Sequence, residues 1–172
     1  QRFLGRSKVG TTFLIHRLKK QGYIQSVKRG LYKLSDESVP DLYLANKLYE
    51  PSYISLEFAL SYRRIIPETV YEITSITPKA TRRFESLGKV FSYRKIKKTA
   101  FAGYTIEKQG ELSFRIADAE KAFVDYNYFR LLDGKEPLGR FNKEKINATK
   151  ALRYADKFNN QKLISIIKTT LR

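Results

Sequence analysis

The sequence predicts an α+β fold in two parts, a small N-terminal module over residues 1–36 and a larger C-terminal domain over residues 37–172. Apolar residues make up 42% of the 172 residues, with 12 Tyr and 11 Phe, which is enough for a buried core. Helical and alternating apolar patterns follow one another in the order helices, strands, helices, which is typical of α+β folds. A polar segment at residues 35–40 divides the two parts.

Composition excludes several classes of function. The chain has no Cys, which removes disulfides, thiolate metal sites and cysteine nucleophiles, and its single His argues against a His-rich metal site or a His-based triad. The longest apolar runs are only a few residues, so we expect no membrane span and no signal peptide. We therefore expect a cytoplasmic protein without metal or cofactor. Because the chain contains no Met and begins with Gln, we expect its natural start to lie upstream.

Positive charge is concentrated in blocks. The formal net charge is +17, from 34 basic and 17 acidic residues. Residues 1–34 contain nine basic and no acidic residues, residues 79–98 eight and one, and residues 135–172 ten and three, whereas the two intervening blocks are mildly acidic. Charge in blocks predicts faces that meet phosphates, with nucleic acid as the first candidate partner. Solvated basic faces would give the same pattern.

The N-terminal module begins with a predicted helix at residues 8–21, which Ser7 would cap and Gly22 would end. Its apolar positions form one stripe, made of Thr11, Leu14, Ile15 and Leu18. A second face carries Lys8, Thr12, His16 and Lys19, with Lys20 beside it. Val9 and Phe13 fit no simple two-face helix, so we expect another part of the structure to cover them.

Two short strands are predicted in residues 23–34, joined by the turn Lys28-Arg29-Gly30. A helix, a tight turn and a hairpin with a basic tip form the second half of a winged helix-turn-helix, whose helix reads base edges in the major groove. We therefore predict base or groove contacts from Lys8, Thr12, His16, Lys19 and Lys20. The wing would place Lys28 and Arg29 against phosphates or in a minor groove. The supporting helices would precede Ser7, so we expect a partial module, and the alternative is a basic helix and hairpin that only dock on the rest of the chain.

The C-terminal domain is predicted to be a mixed helix–strand–helix arrangement. Helices are expected at residues 41–48, from Ser52 onward, and at 118–129, 142–158 and 160–170, with strands at 69–77, 90–96, 100–106 and 112–116. A short basic turn or helix would begin at Pro78. Basic side chains of this domain are predicted to add sequence-independent contacts to the DNA backbone: Lys79, Arg82, Arg83, Lys95, Lys97 and Lys98.

One group of acids could instead indicate catalysis. Asp118 and Asp125 are seven residues apart, two helical turns, so they can share a face, and Glu120 and Lys121 lie between them. Carboxylates with a lysine could hold Mg²⁺ in a nuclease. The simpler interpretation is a helix start whose acids favour the macrodipole and form an intrahelical ion pair, and we predict no catalytic residue.

Several stretches carry a resemblance to a known family. They are RGLY at 29–32, PSYISLEFALSY at 51–62 followed by IPE at 66–68, ITSIT at 73–77 and IADAEKAFVD at 116–125. In this order they resemble the AbiEi family, over nearly the whole chain. The resemblance implies an antitoxin of the AbiE abortive-infection (type IV) toxin–antitoxin systems. Some relatives are free-standing regulators.

The resemblance also implies a division of labour. An N-terminal winged helix would bind inverted repeats in the operon's own promoter and repress it, and two copies would pair on the DNA whether or not the chain is a monomer in solution. The C-terminal domain would counteract a nucleotidyltransferase toxin without a tight complex. The alternatives are a stand-alone nucleic-acid-binding regulator, a Mg²⁺-dependent nuclease, or an interaction protein that holds RNA or a toxin. In the last case Tyr62, Tyr93 and Tyr104 would stack on unpaired bases, but the interpretation that we favour is that these rings pack in the core.

Overall fold

The computed structural model of the chain describes residues 8–172, apart from the side chain of Lys8. The chain divides into two compact units, one ending at Pro40 and the other spanning Asp41–Arg172. The described residues contain six α-helices and two β-sheets, so the fold is mixed α+β as predicted. The predicted helix cap at Ser7 lies outside the described residues.

In the N-terminal unit, helix α1 (Lys8–Lys20) leads into an antiparallel hairpin of β1 (Ile24–Lys28) and β2 (Leu31–Leu34), as predicted. Gly22 has a φ of +78°, and the N–H of the next residue donates to the Leu18 carbonyl at 3.0 Å, which closes the helix end. The predicted inner stripe of α1 is half-buried, and the helix packs against β1.

The C-terminal unit contains five helices: α2 (Asp41–Leu48), α3 (Leu56–Tyr62), α4 (Ala119–Leu132), α5 (Ala148–Asp156) and α6 (Gln161–Thr170). Three of them begin at a side-chain cap that satisfies a free backbone N–H. Asp118 accepts from Lys121 N at 2.8 Å at the start of α4. Asn147 and Asn160 accept in the same way at 2.9 and 3.1 Å at the starts of α5 and α6. Local sequence therefore fixes where these helices begin.

Six strands form one mixed sheet in this unit: β3 (Tyr53–Ile54), β4 (Ile73–Thr77), β5 (Arg82–Ser86), β6 (Lys89–Lys95), β7 (Tyr104–Gln109) and β8 (Leu112–Ala117). Their order is β5-β6-β4-β3-β8-β7. The pairs β4/β6 and β3/β8 are parallel, and the other neighbours are antiparallel. Because β4 and β6 run in the same direction, both strands end at the same edge of the sheet.

Several predicted elements differ from the structure. The helix expected from Ser52 begins only at Leu56, because Tyr53 and Ile54 pair with β4 and β8 as a short central strand. The basic segment that begins at Pro78 is a bend at residues 78–79, which fits the predicted turn, followed by strand β5 rather than a helix, because β5 pairs along its full length with β6. The helix expected at 142–158 is split into the 3-10 turn Lys143–Lys145 and α5, because Ile146 is buried and extended between them.

The strands expected at 69–77 and 100–106 also begin later, as β4 and β7, and a 3-10 turn at Lys98–Ala100 precedes β7. The core of the C-terminal unit contains large side chains that are fully buried: Tyr53, Tyr93, Phe91, Phe123, Phe158, Leu48, Ile54, Leu60, Ile76 and Ile116. Across residues 8–172, no helix combines the length and the apolar character that a membrane crossing requires.

Candidate nucleic-acid interface

The outer face of α1 carries most of the side chains that were predicted to contact bases. Thr12, His16, Lys19 and Lys20 are all exposed, on the side of the helix away from the half-buried stripe. Lys8 takes its predicted place in the first turn of α1, but its side chain lies outside the described residues. Arg17, which was not among the predicted contacts, is exposed in the last turn with Lys19 and Lys20.

Two apolar side chains share this outer face. Val9 is 65% exposed and Phe13 is 72% exposed. With Thr12 and His16 they line one shallow hollow of about 520 Å³. The four positions are spaced i, i+3, i+4 and i+7, so they form a single helix face. Among the described residues nothing covers Val9 and Phe13, so the cover expected from the sequence is not seen there.

The hairpin tip presents a second group of cations. Arg29 is exposed in the turn between the strands, and Lys28 is half-buried at the end of β1. A bulge between Ser26 and Lys28 shifts the register just before this turn, and Gly30 takes a φ of +81° within it. Arg29 therefore lies exposed at the tip of the hairpin.

In the C-terminal unit, the side chains that were predicted to contact the DNA backbone lie at one end of the sheet. All six side chains are exposed: Lys79, Arg82, Arg83, Lys95, Lys97 and Lys98. Lys79 follows the end of β4, Arg82 begins β5, and Lys97 follows the end of β6. Since β5, β6 and β4 are neighbours and β4 is parallel to β6, these positions come together at the same edge.

Three of these six cations already have partners within the protein. Arg83 pairs with Glu85 at 2.7 Å and with Glu72 at 3.7 Å. Lys79 Nζ donates to the Glu50 carbonyl. Lys97 Nζ donates to the Phe158 carbonyl at 3.2 Å, just beyond the C-terminus of α5, where a cation is favourable. These three side chains are therefore less available for phosphate than their exposure alone suggests.

The same edge includes a cation that was not among the individually predicted contacts, although it belongs to the basic block at residues 135–172. Thr99 Oγ1 donates to the Lys157 carbonyl at 3.2 Å, which brings the end of α5 beside the segment after β6. Lys157 is exposed there. Because 58 residues separate the two partners, no local pattern could predict this neighbour.

The acids that suggested catalysis form a closed network inside the C-terminal unit. Lys121 and Asp125 are 1% and 0% exposed, and Lys121 Nζ lies 2.5 Å from Asp125 Oδ1. The other carboxylate oxygen of Asp125 accepts from Tyr53 and Ser55, each at 2.9 Å. The ammonium of Lys121 also lies 4.5 Å from the centre of the Phe158 ring. Burial raises the pKa of Asp125 and lowers that of Lys121, against the ion pair and its hydrogen bonds.

A second set of contacts surrounds the start of α4. Asp118 Oδ2 accepts from Tyr154 at 2.6 Å and lies 3.0 Å from Lys150 Nζ. Lys150 Nζ also lies 2.8 Å from Glu120 Oε2. Burial together with the hydrogen bond to Asp118 raises the pKa of Tyr154 to about 12. Burial alone would raise the pKa of Glu120, but hydrogen bonds from Lys150 and from the Asn147 N–H hold it below the ordinary value.

Partners within the protein account for the positions of both Asp118 and Asp125, so their spacing does not require a bound metal ion. Asp118 caps the helix and Asp125 is enclosed, so their carboxylates do not face a common open site. Within residues 8–172, no group of three or more His, Asp or Glu side chains is arranged to hold a metal ion. Of the tyrosines considered for base stacking, Tyr93 is buried, Tyr104 stacks on Tyr53 with 5.1 Å between ring centres, and Tyr62 donates to Glu107.

Comparison with known proteins assigns no family. No family model matches the chain, and no curated protein matches it either.

Proposed function

We propose that this chain is a sequence-specific DNA-binding regulator whose N-terminal unit acts as the reading helix and wing of a winged helix-turn-helix. The observation that carries the proposal is the outer face of α1, where Thr12, His16, Lys19 and Lys20 are exposed together. This face belongs to a segment, residues 1–34, with nine basic residues and no acid. The major groove of B-DNA admits one α-helix, and cations beside it meet the phosphates on either side.

The hairpin and the C-terminal unit would add contacts that position the protein without reading sequence. Arg29 at the hairpin tip would meet a phosphate or enter a minor groove. At the sheet edge of the C-terminal unit, Arg82, Lys95 and Lys98 would bind phosphates, with Lys157 beside them. Arg83, Lys79 and Lys97 would contribute less because protein groups already engage them.

The biological role that we propose is that of an autorepressor and antitoxin in the cytoplasm. The support is the resemblance to the AbiEi family in the stretches at 29–32, 51–68, 73–77 and 116–125. The chain would bind inverted repeats in its own promoter as paired copies and would counteract a nucleotidyltransferase toxin. We propose no cofactor and no catalytic step.

A salt titration tests the DNA-binding part. Fluorescence anisotropy would follow the full chain on a duplex from the region upstream of its own gene. If roughly six phosphates are neutralised, log K against log salt concentration should have a slope of about −5. A slope near zero would contradict DNA binding through these cations.

Variants test the assignment of roles. Lys19→Ala should weaken binding to the promoter duplex more than to a scrambled duplex, whereas Arg82→Ala should weaken both equally. Lys108→Ala, an exposed cation of β7 outside the basic blocks, is the matched control and should leave the affinity for both duplexes unchanged. The assignment is wrong if Arg82→Ala changes sequence preference and Lys19→Ala does not.

Co-expression tests the antitoxin part. If the neighbouring gene encodes a nucleotidyltransferase, the chain should restore growth to cells that express that enzyme. DNA binding without restored growth would instead favour the alternative role of a stand-alone regulator.

A further inference from the structure

The outer face of α1 combines hydrogen-bonding and apolar side chains in a way that phosphate binding does not explain. Val9, Thr12, Phe13 and His16 line a single hollow, and the aromatic residue among them, Phe13, is 72% exposed. Phosphate contacts require cations and hydrogen-bond donors, and an aromatic ring offers a phosphate neither. Contact with water is unfavourable for this ring, so the face gains free energy when an apolar group covers it.

The charge of the surrounding segment selects the partner. Arg17, Lys19 and Lys20 follow the hollow on the same helix, and residues 1–34 contain no acid. A polyanion is therefore attracted to this face. Duplex DNA is the polyanion whose major groove offers an apolar group beside hydrogen-bonding base edges, because each thymine carries a C5-methyl group there.

We propose that Phe13, with Val9 beside it, contacts thymine methyl groups in the major groove, so that the reading helix prefers sites with thymine at the contacted positions. This inference rests on the proposed function, since it assumes that α1 enters the major groove. Thr12 and His16 lie between and beside the two apolar residues and would hydrogen-bond to neighbouring base edges. The mixed character of the face then has one explanation, because a base pair that contains thymine presents both kinds of group.

Replacing thymine with deoxyuridine tests this contact directly. Two 24-base-pair duplexes of alternating adenine with thymine, or adenine with deoxyuridine, differ only in the C5-methyl group, so phosphates, minor groove and base hydrogen bonds stay the same. Anisotropy titrations at low salt would measure Kd for the full chain. Each buried methyl should make the thymine duplex bind about fourfold more tightly. Phe13→Ala should bring the ratio of the two Kd values close to one, and Phe13→Leu should retain part of it.

Tyr71→Ala is the control for loss of an exposed aromatic ring, since Tyr71 is 86% exposed in the C-terminal unit. This variant should keep the full preference for the thymine duplex. Equal binding of both duplexes by the unchanged chain would overturn the inference and leave DNA binding intact. Phe13→Ala could instead lose affinity equally for both duplexes and show reduced helix content or a change of oligomeric state. That result would show that Phe13 packs on protein, and it would also overturn the inference. Failure to bind either duplex at low salt would reject the proposed function itself.

Discussion

The two units of the chain differ in how much of their side-chain surface they bury. In the N-terminal unit, Val27 alone is buried among residues 9–40, and Phe13 and Val9 are largely exposed. In the C-terminal unit a continuous set of aromatic and aliphatic side chains is buried between the sheet and its helices. Apolar burial is the main source of stability, so the C-terminal unit should contribute most of the free energy of unfolding, whereas Val9 and Phe13 of the N-terminal unit bury little of their surface.

The same residue type has opposite environments in the two units. Lys19 and Lys20 are exposed on α1, whereas Lys121 on α4 is fully buried against Asp125 and an aromatic ring. A lysine on a predicted helix can therefore be a binding residue or a core residue, and its environment decides which. The exposed lysines should affect binding, and the buried one should affect folding.

The largest expected effect is that of Asp125→Ala. The substitution leaves the Lys121 ammonium buried without its counter-charge and removes the acceptor for Tyr53 and Ser55. We expect the free energy of unfolding to fall by about 3–5 kcal/mol. Urea denaturation followed by tyrosine fluorescence would measure it. Lys19→Ala in the N-terminal unit should change the same quantity by less than about 0.5 kcal/mol.

A double variant separates the charge effect from a loss of packing. Replacing both partners, as Lys121→Met with Asp125→Leu, removes the unpaired charge and keeps apolar volume. It should recover much of the lost stability. If Asp125→Ala alone costs less than about 1 kcal/mol, the carboxylate is not enclosed as described, and the contrast between the units is weaker than the structure indicates.

Local signals account for the part of the fold that the sequence predicted. α1, the hairpin, α2, α4 and α6 each have a clear apolar period, a cap or a turn glycine. Strand β3 has only two residues, which is too short for an alternating apolar pattern that would predict a strand. Strand β5 has a basic sequence and forms because its backbone pairs with β6, so its side chains did not indicate it. The exposed helix face that was predicted to contact DNA is exposed in the structure, but the position of Lys157 depends on contacts between distant residues.

Gly22 and Gly103 share a backbone conformation but differ in their surroundings, so the same substitution should have different costs at the two positions. Gly22 and Gly103 have φ values of +78° and +83°. A Cβ at Gly22 would meet open space, whereas at Gly103 it would lie 2.8 Å from the Tyr154 ring and 3.0 Å from Lys121 Cγ. Gly22→Ala should therefore cost about 1 kcal/mol of backbone strain. Gly103→Ala should cost roughly 2–4 kcal/mol, because overpacking adds to the strain.

Thermal or urea unfolding of both glycine variants would measure the difference, with far-UV circular dichroism to check that each retains its helices. Equal costs at the two positions would mean that the ring of Tyr154 moves aside freely. In that case the packing around the start of α4 is looser than the distances indicate.

The smallest expected effect is a pH dependence at Glu120. Hydrogen bonds from Lys150 and the Asn147 N–H lower the pKa of this buried carboxyl below its ordinary value of 4.5 in the folded state. A carboxyl whose folded pKa is lowered contributes its stabilisation above the unfolded pKa and loses it as the pH falls through the folded one. Glu120→Gln should therefore be less stable than the unchanged chain by about 1 kcal/mol at pH 7. The difference should shrink below about pH 4.5.

Urea denaturation at a series of pH values between about 7 and 3 would follow this difference, because carboxyl groups titrate in the lower part of that range. The matched control is Glu37→Gln, since Glu37 has an exposed side chain in the N-terminal unit and should change the free energy of unfolding by less than about 0.5 kcal/mol throughout. A constant gap between Glu120→Gln and the unchanged chain would show that the loss comes from packing rather than from charge. Glu120 would then stabilise the C-terminal unit through packing, and of the two buried acids only Asp125 would stabilise it through charge.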